Sequence, residues 1–182
     1  FILFSISLVN AAKITPYLSN GSEGKISEFP FFVSIQHIDI HACGGVLLSE
    51  IWVLSSARCL RGRRINELNI EYGNTLITPG IHSQNDVRIK QIIFHEEHRQ
   101  FENDLSLVES ETQIITGLHE PFAKLAVPGG TRYLSGLSSV FVGWGHTSNG
   151  VRTTQLYKTK INVISFEECI EAADDTQPPS RK

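Results

Sequence analysis

The residue types in this 182-residue chain that could do chemistry are its seven histidines, its three cysteines and a few acids placed beside them. His95-Glu96-Glu97-His98 puts two imidazoles and two carboxylates within four residues, all of them types that bind zinc. A helix-borne metal pair needs its histidines four apart, so that both rings share a face. Here they are three apart in a segment that reads as a loop. The expectation is a solvated turn, and no metal site is predicted. Cys43 and Cys59, sixteen apart, are the natural disulfide pair, which leaves Cys169 over. An odd cysteine in a secreted protein points to an intermolecular bond, a free thiol or a missing partner. Asn20-Gly21-Ser22 is a glycosylation sequon, making Asn20 a candidate modification site. No run matches a mononucleotide-binding loop or a dinucleotide fingerprint, and no cofactor is expected.

The elements that must hold these groups read as strands. Short β-branched and aromatic runs recur at Phe31–Ile38, Gly45–Leu48, Trp52–Leu54, Leu68–Tyr72, Val87–Phe94, Leu105–Val108, Val140–Val142 and Tyr157–Ile164, separated by Gly, Pro and Asn. Many short strands with frequent turns predict an antiparallel all-β barrel or sandwich. One helix is expected, opening at Ser165-Phe166-Glu167-Glu168, where Ser165 caps and Glu168 reaches back. Cys169, Ile170 and Ala173 should form its buried side. With 41% apolar and 19% charged residues the chain can bury a core. From its net charge of −3 no basic patch is expected, so nucleic acid is not an expected partner.

Residues 1–9 are almost wholly apolar but too few to span a bilayer. Val9-Asn10-Ala11 supplies the small residues of a signal-peptidase site, so residues 1–11 read as a secretory signal; a buried N-terminal strand is the other reading. The chain has no methionine, from which an incomplete signal is expected. A secreted, extracellular location follows, and it permits disulfides.

Five segments, in order, resemble the trypsin and chymotrypsin-like serine protease family (peptidase S1). They are Phe29–Gln36, His41-Ala42-Cys43-Gly44-Gly45-Val46-Leu47, Trp52-Val53-Leu54-Ser55-Ser56-Ala57-Arg58-Cys59, Asn103-Asp104-Leu105-Ser106-Leu107-Val108 and Val142-Gly143-Trp144-Gly145. The resemblance implies a chymotrypsin-like double Greek-key barrel. The first barrel, about residues 18–116, should be complete and the second, about 117–182, partial. Residues 12–17 form a pro-like segment. It also implies the Cys43–Cys59 bond, a structural role for His41, and a downstream partner for Cys169 beyond the end of the chain.

The departures from that pattern carry the functional expectation. In the family's triad a serine attacks, a histidine takes its proton and an aspartate orients the imidazole. Asp104 occupies the aspartate position, Arg58 stands at the histidine position, and no serine segment with its oxyanion-hole glycines follows Cys169. Tyr17-Leu18 replaces the basic activation bond, so trypsin-like cleavage is not expected there. The loop Glu71–His82 matches the calcium loop of some relatives but holds one acid, too few for a hard cation. The resemblance therefore implies a non-catalytic homologue acting by binding a protein or peptide partner. A truncated reading of an ordinary serine endopeptidase is the alternative, and a binding module made of the first barrel alone is a third.

Overall fold

The computed structural model describes residues 21–99, 102–117, 121–125, 135–146 and 152–174. The signal region, the Tyr17–Leu18 bond, Asn20, His119 and much of the stretch that follows the expected division near residue 117 lie outside them. Nine strands and two α-helices run in the order β1 (Ser22–Glu23), β2 (Phe32–His37), β3 (Ile40–Leu47), β4 (Trp52–Ser55), α1 (Ala57–Leu60), β5 (Leu68–Glu71), β6 (Asp86–Phe94), β7 (Ser106–Ser110), β8 (Ser138–Gly143), β9 (Tyr157–Asn162) and α2 (Phe166–Asp174) among the described residues. Every run read as a strand forms one, within two residues of its expected ends except β3, which starts at Ile40 rather than Gly45. β1 is an addition, too short to show periodicity, and so is the single-turn α1.

β2, β3, β4, β7, β6 and β5 close, in that order, into an antiparallel barrel. Closure comes from pairing β2 with β5, Ser34 opposite Glu71 through His37 opposite Leu68. Alternation along each strand sends Val33, Ile35, Leu47, Val53, Ile70 and Val108 inward, where all are fully buried. Gly45 lies on this wall for a steric reason. A Cβ there would sit 2.6 Å from Val53 Cγ1 and 3.2 Å from Val33 Cγ2, so only glycine lets β3 approach its neighbours.

β2 is buried on its outer face as well, at Ser34 and Gln36. Ser34 meets His41, and Gln36 meets Glu71 and Asn69; beside the barrel, β1, β9 and β8 form a three-stranded sheet. Trp144, just after β8, is 1% exposed and stacks on Phe32 with ring centroids 5.2 Å apart. Its indole N–H donates to the Thr75 carbonyl at 3.1 Å. Ile26, Ile77 and Leu156 complete this smaller core. The all-β architecture is thus a closed first barrel with a partial second sheet, whose Val140, Phe141 and Ile161 stay about half exposed.

The capping box of α2 forms as expected: Ser165 N–H donates to Glu168 Oε2 at 2.7 Å, and Glu168 N–H to Ser165 Oγ at 3.1 Å. Its expected buried side does not form. Cys169 and Ile170 are exposed, because neither core cluster reaches the helix. The side chain of Ala173 lies outside the described residues.

Candidate functional site

The site is built where α1 meets the connection between β6 and β7. α1 is one turn, capped by Ser56, whose Oγ accepts the Cys59 N–H at 3.3 Å. Cys59 is disulfide-bonded to Cys43 on β3, with Cα atoms 6.0 Å apart, which fixes the turn against the barrel wall. Arg58 is therefore held at a defined place on α1 although its side chain is 52% exposed. On the opposite side, Asn103 adopts a left-handed conformation at φ 49°, which asparagine tolerates better than most residues. Its side-chain amide donates to the Glu97 carbonyl at 3.2 Å. This local turn aims Asp104 at α1.

Asp104 meets donors at both oxygens. Its Oδ1 accepts from the Arg58 backbone N–H at 2.7 Å, and its Oδ2 from Arg58 Nε at 2.9 Å. Ser56 Oγ lies 2.9 and 2.8 Å from the two oxygens, so one hydroxyl proton is shared between them. The Arg58 backbone N–H, then its guanidinium, and less strongly the Ser56 hydroxyl hold the Asp104 carboxyl down at about 2, against a partial desolvation that opposes them. The result is a permanent anion in a cage of donors. A guanidinium offers no lone pair and does not deprotonate in proteins. The Arg58–Asp104 pair can therefore hold and orient charge, but it cannot shuttle a proton near neutral pH. Ser56 is the member that the sequence reading missed. Its signal was available, since a hydroxyl stands where the family pattern has alanine.

The other candidates separate from this cage. His41 lies on β3 of the barrel, on the side that meets Trp144: its Nδ1 is 2.8 Å from Ser34 Oγ, and its ring is 5.7 Å from that of Trp144. Burial, with a smaller contribution from Arg152, pushes His41 down to about 4, so the imidazole is neutral and serves packing. His95 and His98 sit in a turn in which His95 Nδ1 accepts from Glu97 N–H at 3.2 Å, and His98 Nδ1 lies 3.1 Å from the Glu102 carbonyl. In the 71–82 loop, Glu71 accepts from Asn74 at 2.7 Å and from Gln36; burial pushes its carboxyl up. Among the described residues no group of three or more His, Cys, Asp or Glu side chains could hold a metal ion. Cys169 is a free, exposed cysteine.

A closed six-stranded barrel, a second antiparallel sheet, and an α1 turn locked by a disulfide against an aspartate loop together define a chymotrypsin-like fold. The Trypsin family profile matches residues 18–179, and the chain belongs to that family. It is 27% identical to trypsin iota of Drosophila melanogaster over 180 residues, covering 92% of this chain and 65% of that protein. It is also 27% identical to trypsin Blo t 3 of Blomia tropicalis over 167 residues, covering 88% of this chain and 60% of that one. The chain thus spans less than two thirds of the length of these relatives. Among solved structures, the scabies mite inactivated protease paralogue S-D1 superposes with a TM-score of 0.71 at 22% identity, over 86% of this chain and 67% of that one.

Proposed function

We propose that this protein is a secreted, proteolytically silent member of the trypsin family that acts by binding a protein or peptide. The observation that carries this reading is the cage around Asp104. In the family pattern Asp104 holds the place of the triad aspartate and Arg58 that of the triad histidine. Asp104 here is met by Arg58 and Ser56, where an active member has an imidazole able to accept a proton. General-base catalysis needs a group whose charge changes near the working pH. The arginine is charged throughout. The barrel and the surface around α1 remain, so the recognition half of a protease can persist without its chemistry. The Cys43–Cys59 disulfide fits an oxidising, extracellular setting. No helix among the described residues is long and apolar enough to cross a membrane.

The second reading is an ordinary serine endopeptidase of which these residues are a part. It draws on the 65% and 60% of the trypsins' lengths that the chain spans. A fluorophosphonate probe applied to the full-length secreted protein separates the two. The silent reading predicts no labelling, and labelling that heat denaturation abolishes would favour the endopeptidase.

A further inference from the structure

The net charge of −3 averages away one strongly basic stretch. Arg61-Gly62-Arg63-Arg64 leaves α1 and leads into a 3₁₀ turn, Ile65–Glu67. We infer that the Arg64–Ile65 bond is a processing site for an endoprotease whose acidic subsites read arginine at the first, second and fourth positions before the cut.

Three independent features of the segment support this assignment. The first is access: Arg61, Gly62, Arg64, Ile65 and Asn66 are all exposed, and Arg64 shows 79% of its side chain. The second is backbone shape. Arg64 (φ −81°, ψ 132°) is extended at the cut and Arg61 (φ −60°, ψ 132°) is close to polyproline geometry, so a protease cleft that pairs with a strand-like substrate has to straighten the Gly62 turn and the short 3₁₀ turn that follows. Gly62 turns the chain at φ +82° with nothing within 4 Å of where its Cβ would lie. The third is weak restraint. The Arg64 side chain makes one exposed ion pair to Glu67 at 3.2 Å and its carbonyl accepts the Glu67 N–H at 3.0 Å, Arg61 lies 5.3 Å over the Phe94 ring, and Arg63 Nε donates to the Cys59 carbonyl at 2.8 Å. The exposed Arg64–Glu67 pair and a single 3₁₀ turn open locally at little cost, and loop tips are where nicking concentrates. By contrast, Arg88 and Lys90 on β6, and Lys158 and Lys160 on β9, lie on strands paired on both sides.

Cleavage adds water across the amide: the C–N bond breaks, Arg64 keeps a carboxylate and Ile65 gains an ammonium. The topology then dictates the product. β2 pairs with β5 and β4 with β7 across the cut, so both pieces remain in one barrel. The Cys43–Cys59 bond lies wholly upstream and does not join them.

The test incubates the folded full chain with a calcium-dependent, paired-basic-specific secretory endoprotease and sequences the new N-termini. The expected first product begins Ile65-Asn66-Glu67. It elutes as one species under native conditions and separates into two on a denaturing gel without reductant. R64A and R61A, both at exposed positions, should keep the circular dichroism of the parent and lose the cut. An uncut folded chain, a first cut elsewhere, unchanged cleavage of folded R64A, or native separation of the halves would each overturn the inference.

Discussion

Replacing Arg58 with alanine gives a sharp test of how the Asp104 anion is held, because it removes only part of the cage. The guanidinium contact at 2.9 Å is lost, while the residue-58 backbone N–H at 2.7 Å and the Ser56 hydroxyl at 2.8–2.9 Å remain. The backbone bond is the largest cause of the lowering, the guanidinium bond the next. Asp104 should therefore rise from about 2 but stop short of the ordinary 3.8. Carboxyl-carbon NMR across an acid titration reads this directly, with Arg58→Ala beside the parent. The linked stability has a fixed sign. A carboxyl whose folded value is depressed contributes stability that is fully present above the unfolded value and lost as pH falls through the folded one. In the parent that loss falls between 3.8 and about 2; in Arg58→Ala the contribution is smaller and its window narrower. A variant titrating at the ordinary value would show that the guanidinium acts alone, and one unchanged at about 2 that the contact does not form in solution. Either result refutes the cage.

Two further substitutions probe the scaffold. Gly45→Ala places a methyl 2.6 Å from Val53 Cγ1, and overpacking of this kind should cost about 1–3 kcal/mol in chemical denaturation. Trp144→Ala removes the buried ring that stacks on Phe32; a loss of about 3–5 kcal/mol is expected in the same measurement.

The strands were legible because their alternation matches a barrel with one face inside. Val33, Ile35, Val53 and Val108 announce it by type and position alone. The aspartate loop was legible through resemblance, since Asn103-Asp104-Leu105-Ser106-Leu107-Val108 follows the family pattern. Three things were not. β1 pairs through two residues, Ser22 and Glu23, that have no apolar signature. The burial of Ser34 and Gln36 on the outer face of β2 depends on polar partners brought by β3 and β5, His41, Glu71 and Asn69, whereas period-2 reasoning places that face in solvent. For α2 the cap is local and was readable, but burial of Cys169 and Ile170 depends on a surface elsewhere in the chain. Ser56 lay in between: the hydroxyl was visible, but its two contacts with Asp104 required the β6–β7 turn to be in place.

The most direct test of the silent-protease reading is peptide hydrolysis by the full-length protein, measured beside Arg58→His on a mixed library of unblocked and chromogenic peptides. In the Arg58→His variant an imidazole faces Asp104, yet the hydroxyl sharing that carboxylate, Ser56, stays committed to it and to the cap of α1. Neither protein should turn over any peptide above the buffer rate. Reproducible, protein-dependent cleavage by either one would contradict the account.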